Sequence, residues 1–515
     1  MSDAENSIKD HQEPLKGIWL VLGGLVLALA NFIVVLDTTI ANVSVSHIAG
    51  GLAVSSHEGT YVITSYAVAE AITVPLTGWL VSRFGSVRVF SISMALFGVF
   101  SVLCGLAHSL DFLILARVFQ GLSGGPLMPL SQALIIQIFP KEKRGMALAL
   151  WSMTTLIAPV LGPICGGYIC DNWGWEFIFY INIPIALFCS VFSYGLLKRF
   201  SNQVTKSKID FVGMGLVVVW VSALQIMLDE GKNQDWFESV EIRVLAIVAV
   251  IGFISFLIWE LTHENPIVNL RVFRHRGFSA SVTTVSFAFG AFFGTVVLTP
   301  LWLQSYMGYT ATWSGFVTAS TGVLAVVMAP VAATLSQKID PRKLVFIGVL
   351  WLGIMTYVRS LASTDMTAWD IAWPMLLQGI GLPLFFVPLT SLALASVDDE
   401  ETASAAGIMN FLRTFSGAIA TSVVTAVWDN NTTVFRYDLV EKAQNPSFVA
   451  GLMGDISATG EKVATYTLDF LIQTQAVMLS TNYVMLLVAF TFAFAAMSIW
   501  LAPRPTKQVD TSAVH

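Results

Sequence analysis

Residues 17–41 read GIWLVLGGLVLALANFIVVLDTTIA, a stretch in which Asp37 is the only ionisable side chain. The hydrocarbon core of a bilayer is about 30 Å thick and needs roughly 20 apolar residues per helix, so this stretch is long enough to cross a membrane. The rest of the chain has a similar composition, because 55% of its 515 residues are hydrophobic and only 12% are charged. A soluble domain could not bury that much apolar surface. The sequence therefore predicts an all-α integral membrane protein.

Thirteen further apolar segments follow, so we predict fourteen transmembrane helices. The predicted spans are 17–41, 59–81, 88–107, 111–134, 144–169, 177–197, 211–229, 242–261, 278–303, 312–336, 343–361, 369–393, 403–428 and 482–502. Nineteen of the 27 Lys and Arg residues fall in tails and loops on one side of these spans. Because basic loops stay in the cytoplasm, we expect both termini to be cytoplasmic. The acidic loop 398–401 is an exception, which is tolerated because acidic residues contribute little to this rule.

An internal repeat relates two parts of the chain. Residues 75–88 read PLTGWLVSRFGSVR, and residues 330–343, which lie 255 positions later, read PVAATLSQKIDPRK. A second pair is Gln120-Gly121 and Gln378-Gly379, each followed by two prolines. Chance similarity between two loops is the alternative to a true repeat. Two parallel halves with a site between them at the membrane midplane are typical of transporters.

The repeat predicts the following domain organisation. A cytoplasmic tail (1–16) precedes a six-helix half (17–197). Two extra central transmembrane helices lie within 198–277, and a second six-helix half (278–502) precedes a cytoplasmic tail (503–515). We expect residues 429–481 to be an external loop of the second half and the only sizeable extramembrane segment, either a connector or a docking site for a partner.

Four charged residues are predicted inside spans, where a charge costs from about 3 to more than 10 kcal/mol. By helix rise, Asp37 and Arg117 lie about 6 and 9 Å below the outer surface, so the two can pair. Such a carboxylate suits proton coupling, and a static ion pair that fixes helix packing is the alternative. Glu70 is a third candidate for proton coupling. The alternatives are a carboxylic acid that stays protonated and hydrogen-bonded, and an acid that faces a wet crevice. Arg413, with Asn410, is either a gating and packing residue or a substrate ligand.

Other patterns exclude several classes of protein. The seven histidines lie in loops, tails or helix ends, which argues against a metal or haem site inside the membrane. There is no G-x-x-x-x-G-K-[ST] motif and therefore no predicted ATP site. The formal net charge of −6 is small and says little about partners, and we expect no nucleic-acid partner. We expect no cofactor and no enzymatic activity, and the energy for transport would come from a gradient.

Several motifs, in this order and at this spacing, resemble the major facilitator superfamily and, within it, the EmrB-like group of fourteen-span drug:proton antiporters. LDTTIANV at 36–43 is similar to the first-helix motif, residues 78–88 to the cytoplasmic-loop motif, RVFQG at 117–121 to the arginine motif of proton coupling, and APVLGPICGG at 158–167 to the antiporter motif. In the loop motif, Ser82 and Ser86 replace the usual Asp and a basic residue. Pro163 should bend its helix, and the neighbouring glycines should permit close helix contact.

This resemblance implies roles for named residues. Those expected in gating and helix packing are Gly78, Arg83, Gly85, Arg88, Gly121, Pro159, Gly162, Pro163, Gly166 and Gly167. Those expected in proton coupling are Asp37, Arg117 and Glu70, and candidate polar residues of a substrate cavity are Asn42, Asn410 and Arg413.

The resemblance further implies a major facilitator fold and proton-coupled export of amphiphilic drugs by the inner-membrane component of a tripartite pump. The expected partners are small-molecule drugs, protons, membrane lipid, an EmrA-like periplasmic adaptor and a TolC-like outer-membrane channel. Two alternatives stay open. One is a narrow exporter of fatty acids, bile salts or a siderophore. The other is a non-transporting receptor, which the lack of a cytoplasmic signalling domain disfavours.

Overall fold

The computed structural model describes residues 15–140, 143–200, 210–231, 233–264, 266–398, 401–443 and 461–504, which form helices and contain no β-strand. The first half consists of α1 (Ile18–Gly51), α2 (Ser56–Thr73), α3 (Thr77–Phe84), α4 (Ser86–Gly105), α5 (Leu110–Gly124), α6 (Leu127–Ile138), α7 (Arg144–Asn172), α8 (Phe177–Tyr180) and α9 (Asn182–Leu197). The inserted pair is α10 (Phe211–Glu230) and α11 (Val240–Thr262). The second half consists of α12 (Arg276–Ser305), α13 (Ala311–Lys338), α14 (Pro341–Arg359), α15 (Ala368–Ala395), α16 (Thr402–Lys442) and α17 (Glu461–Ser498).

Each predicted span coincides with one helix or with two consecutive helices. The second span is interrupted between α2 and α3 and the fourth between α5 and α6, because Pro75 and Pro126 have no N–H to donate. Among the described residues, eleven helices are individually long and apolar enough to span a membrane. The bent helix α7 is a twelfth if its two parts count as one span. Its two parts, Arg144–Pro159 and Ile164–Asn172, meet at 47° around the predicted Pro163 bend. The number fourteen stays a prediction.

The segment 429–481, predicted to lie outside the membrane as an external loop of the second half, is helical in its two described parts. α16 continues to Lys442 as a single helix of 41 residues, and α17 already begins at Glu461. No Gly or Pro interrupts residues 429–442 or 461–481, and the two polar extensions pack against each other as a helical hairpin. Arg436 donates to the Asp469 carboxylate over 2.7 Å, and the indole of Trp428 donates to Thr481 over 2.9 Å. Residues 444–460 lie outside the described part.

The two halves meet at the end of the helices that carries the basic loops, which we call the basic end. There α16 packs on α3 and α6, while α7 packs on α13 and α15. Ala149, Ala333 and Val387 form a small buried cluster at the second of these contacts. The inserted helix α10 contacts α2 of the first half and α16 of the second. Ser422 of α16 donates to the Leu228 carbonyl over 2.9 Å.

Asp398 and Glu401, the described residues of the acidic loop, lie against a basic segment at the same end of the molecule. Asp398 and Glu401 accept from Arg274 over 3.2 and 3.3 Å, and Glu401 lies 3.2 Å from His275. The acidic exception to the charge rule is therefore offset locally by basic side chains on the same side. His275, Asp398 and Glu401 lie close enough together to hold a cation, but the Arg274 guanidinium already occupies two of their oxygen atoms.

Candidate proton-coupling site

The predicted pairing of Asp37 with Arg117 is confirmed. Arg117 Nη1 of α5 donates to Asp37 Oδ2 of α1 over 2.6 Å, and the two side chains are 0% and 1% exposed. Asp37 comes at the polar end of an apolar helix face, and Arg117 is on the face of α5 that packs against α2. A buried ion pair of this kind is expensive to break, because either partner alone becomes an uncompensated charge.

Two amide side chains donate to the Asp37 carboxylate, and a serine hydroxyl binds both amides. Asn182 Nδ2 of α9 donates to Oδ1 over 2.6 Å, and Gln120 Nε2 donates to the same oxygen over 3.1 Å. Both amides also donate to Ser101 of α4, over 2.9 and 3.2 Å. The carboxylate therefore connects four spans of the first half. Arg117, Gln120 and Asn182 all act as donors to this carboxylate.

The Arg117 guanidinium is held from its other sides as well. Nε donates to the Val62 carbonyl of α2 over 3.1 Å, and Nη1 also donates to Gln120 Oε1 over 2.8 Å. The guanidinium carbon lies 4.2 Å from the centre of the Tyr66 ring, which adds a cation–π contact. Gly121 lets α5 approach α2 at this point, because a Cβ there would lie 2.9 Å from the Ala69 Cβ. The site thus depends on close helix packing.

Glu70 lies on α2 one turn beyond Tyr66 and is partly exposed, although it is in the middle of the predicted second span. Its carboxylate is close enough to Asp37, Arg117 and Arg413 for their charges to act on it. The exposure favours an acid that faces an internal crevice over a fully buried acid. Glu70 therefore lies within electrostatic range of the ion pair and of Arg413 in the second half.

Asn410 and Arg413 lie at that interface. Asn410 Nδ2 donates to Gln132 Oε1 of α6 over 2.8 Å, and Arg413 Nη2 contacts the Met128 sulfur atom. The Arg413 guanidinium carbon lies 5.1 Å from the Phe289 ring centre. Both side chains are buried in contacts between α16 and α6. These contacts are of the kind expected for packing residues, and the choice between the two predicted roles stays a prediction.

Four predicted glycine positions are supported by their surroundings. A Cβ on Gly78 of α3 would lie 2.8 Å from the Ser404 Cβ of α16, so this glycine permits contact between the halves. Gly85 has φ 85°, a backbone conformation that disfavours other residues, and it joins α3 to α4. Gly162 and Gly166 of α7 face α1, where a Cβ would meet Thr39 in the first case and lie 2.9 Å from Val43 in the second.

The remaining predicted residues are less constrained. The packing role of Gly167 is wrong for this conformation, because a Cβ there would meet no atom within 4 Å. Arg88 and Asn42 are exposed, and Asn42 is not brought to Arg413. Arg83 is partly exposed, with its guanidinium carbon 5.8 Å from the Phe84 ring centre. Pro159 is the last residue before the bend in α7.

The comparison with known families decides the classification of this fold and site. A sequence model described as Major Facilitator Superfamily matches residues 27–421. The chain belongs to the major facilitator superfamily. It is therefore a multi-pass membrane transporter. The predicted fold class is confirmed, apart from the number of spans.

Several proteins are similar to this superfamily member over most of its length. It is 43% identical over 498 residues to the multidrug export protein EmrB of Haemophilus influenzae, covering 96% of this chain and 97% of that protein. It is 40% identical over 499 residues to EmrB of Escherichia coli K12, with the same coverage. The fatty acid resistance protein FarB of Neisseria gonorrhoeae is 43% identical over 416 residues, which cover 81% of this chain and 82% of FarB.

Solved structures of the superfamily have the same fold. The proton:xylose symporter XylE superposes with a TM-score of 0.58 at 14% identity, covering 94% of this chain and 96% of that one. A bacterial homologue of the lysosomal transporter Spinster gives a TM-score of 0.53 at 16% identity, covering 96% and 100%. Identities this low support the fold alone.

Sequence reasoning missed several residues that hold the site in this major facilitator protein. Ser101 and Tyr66 resemble ordinary core residues in sequence. Asn31 is also a buried polar residue in the first span, and it donates to Thr154 and Thr155 of α7 over 2.8 and 2.7 Å. A buried amide is costly unless hydrogen-bonded, so polarity inside an apolar run was the available signal for Asn31. Nothing comparable marks Tyr66, whose role comes only from its contact with Arg117.

Proposed function

We propose that this chain is a proton-coupled multidrug efflux transporter of the inner membrane that exports amphiphilic compounds. One observation carries the proton coupling: the ion pair of Asp37 and Arg117, buried at the meeting point of four spans. Its similarity to proteins named multidrug export protein over nearly the whole chain supports the substrate class.

In this proposal, Asp37 is the group that gains and loses the proton. Protonation removes its negative charge, so Arg117 loses its ionic partner. The amide oxygen of Asn182 is buried and has no hydrogen-bond partner within the described residues. A half-turn of this amide would present the oxygen as an acceptor for the new O–H of Asp37. The Asn182 amide therefore can serve either charge state of the carboxyl without leaving its place.

We assign the communication with the substrate to Glu70, because its charge interacts with the ion pair and with Arg413. A cationic or amphiphilic compound in the crevice would change the field at Glu70 and hence at Arg117. Aromatic rings on α12 and α15, which are buried in this conformation, would supply apolar surface for such compounds when the halves separate. Phe289 lies 5.0 Å from Phe386, which stacks on Trp151 of the first half at 6.1 Å between ring centres.

We propose rocking of the halves as the transport step. The structure is closed at the basic end, where Gly78 meets Ser404 and Asn410 binds Gln132. These contacts would separate when the crevice opens to the cytoplasm, provided that the basic loops are cytoplasmic. Proton loading of Asp37 and exposure of the crevice would then alternate, as expected for an antiporter.

We further propose an EmrA-like periplasmic adaptor and a TolC-like outer-membrane channel as partners. The polar helical hairpin made by 429–442 and 461–481 supports this role. It carries exposed Val434, Tyr437 and Val440 along one helix and Phe470 on the other. An exposed apolar surface on an otherwise polar projection is typical of a protein contact.

Transport by purified protein in proteoliposomes tests the proposal. With an imposed pH gradient, we expect a fluorescent cationic dye to move against the proton flow and to reverse when the gradient is reversed. The Asp37→Asn variant should insert normally but give no gradient-driven movement. Dye transport by the native protein that does not depend on the pH gradient would refute proton coupling.

The similarity to FarB, a fatty acid resistance protein, keeps a narrower function as the second candidate. Growth of a deletion strain on a panel of cationic dyes, uncouplers and long-chain fatty acids separates the two. Broad sensitivity supports multidrug export, whereas sensitivity to fatty acids alone supports the narrower exporter.

A further inference from the structure

The second half contains a counterpart of the Asp37 site with a different charge arrangement. The repeat offset of 255 relates Ser101 to Thr356 and Cys104 to Arg359, while Gln120 corresponds to Gln378. The hydrogen bonds repeat as well. Cys104 contacts Gln120 Oε1 at 3.3 Å, and Arg359 Nη1 donates to Gln378 Oε1 over 3.1 Å.

The difference lies in the acidic partner. Arg117 of the first half is neutralised by Asp37, but Arg359 is 8% exposed and its described partners are the neutral side chains of Gln378 and Thr299. No carboxylate of the described residues lies within 4 Å of this guanidinium. A buried charge without a partner is unfavourable, so the site as it stands is incomplete.

A cavity of about 130 Å³ lies beside this guanidinium. It lies at the end of the helices opposite to the basic end, between α12, α14, α15 and α17. Its walls are mainly apolar and aromatic and include Trp302, Trp373, Ile371 and Met485. An apolar cavity of roughly 150 Å³ holds one benzene molecule, so this one has room for a ring-sized group.

We propose that this cavity is a second binding site, separate from the crevice between the halves, for small organic anions. The guanidinium of Arg359 would bind a carboxylate, and the aromatic walls would take the apolar body of the ligand. Arginine binds carboxylates through charge-assisted and often bidentate hydrogen bonds, which gives the anion a clear advantage over its neutral isostere. The ligand supplies the charge that Asp37 supplies in the first half.

One acidic residue also lines the cavity, and it does not take the place of the ligand. Asp370 lies in the first turn of α15, where it accepts from Thr367 N and Oγ1 over 2.9 and 2.7 Å as part of a capping box. It is partly exposed and therefore screened by water, unlike Arg359. Its charge should weaken anion binding modestly.

Binding of benzoate and of its neutral isostere benzamide to the purified full-length protein tests this site by calorimetry. We expect native protein to bind benzoate at least tenfold more tightly than benzamide. Arg359→Gln should lower benzoate affinity at least tenfold and leave benzamide unchanged. Asp370→Asn should raise benzoate affinity about twofold. Arg436→Gln, which removes an exposed arginine from the hairpin, is the matched control and should bind benzoate as the native protein does.

A second measurement needs no variant and therefore stays informative if Arg359→Gln does not fold. Benzoate should raise the melting temperature of the native protein, whereas benzamide at the same concentration should not. Equal binding of the two compounds would overturn the proposal. So would unchanged benzoate affinity in folded Arg359→Gln, or loss of benzoate binding in Asp370→Asn, which would show that Asp370 contributes to binding instead of opposing it.

Discussion

The coupling between Asp37 and Arg117 can be measured with a double-mutant cycle. Asp37→Asn keeps an oxygen that accepts from Asn182 and Gln120 but removes the charge that neutralises Arg117. Breaking a buried pair costs about 3–5 kcal/mol, because it leaves an uncompensated charge. Arg117 keeps its bonds to Gln120 and Val62 and its contact with Tyr66, so we expect the lower end, about 3 kcal/mol.

The double variant should be more stable than the sum of its parts. Arg117→Met in the Asp37→Asn background removes the stranded guanidinium, so most of the stability should return. We therefore expect a coupling energy of about 2–3 kcal/mol, within the range found for residues in one network. The free energy of unfolding is measured for all four proteins in the same nanodiscs. A coupling energy under about 0.5 kcal/mol would refute the view of the pair as one electrostatic unit.

Transport separates the two interpretations of the pair. If Asp37 carries the proton, the double variant recovers stability but not gradient-driven transport, which should stay at least 100-fold below native. If the pair only fixes helix packing, transport should recover together with stability. Full gradient-driven transport by the double variant would therefore remove Asp37 from the coupling mechanism.

Three further predictions concern packing, gating and pH. Gly78→Val should separate the halves at the basic end and reduce cysteine cross-linking between α3 and α16, whereas Gly167→Val, which meets open space, should leave cross-linking unchanged. Asn410→Ala removes a hydrogen bond to Gln132 worth about 1 kcal/mol, so spin-label distances should show the population open at the basic end rising about fivefold; an unchanged distribution would contradict this. Hydrogen bonds from the adjacent Arg342 guanidinium lower the pKa of Asp340 below its ordinary value, so its stabilisation should be fully present above that value and be lost as pH falls through the lowered pKa. The melting temperature of Asp340→Asn should therefore differ from native by a constant amount between pH 6 and 8 and approach native only in acid; a difference that stays constant in acid would contradict this.

The sequence was sufficient to predict helix positions and the central ion pair, because both depend on the cost of polarity in a membrane. Apolar runs placed the helices, and comparable depth paired Asp37 with Arg117. The same reasoning anticipated the bend near Pro163 and the close approach at Gly162 and Gly166. These features are local or depend on one coordinate, the depth in the bilayer.

Features that depend on which helix faces meet were not accessible in this way. The Asn410–Gln132 contact joins residues 278 positions apart, and no pattern marks it. Gly167 belongs to the same motif as Gly166 but points to open space, because adjacent residues on a helix face different directions. The helical continuation of α16 beyond residue 428 was missed, because the polar composition of that segment indicates a position outside the membrane but not its secondary structure.

The unbroken α16 has a mechanical consequence. At 1.5 Å per residue, its 41 residues extend about 60 Å from the contact with Gly78 to the tip of the hairpin. A rod of this length without a hinge converts a small tilt at one end into a displacement at the other. A protein that binds the hairpin would therefore act directly on the contact between α16 and Gly78 at the other end of the helix. No relay of side chains would be needed.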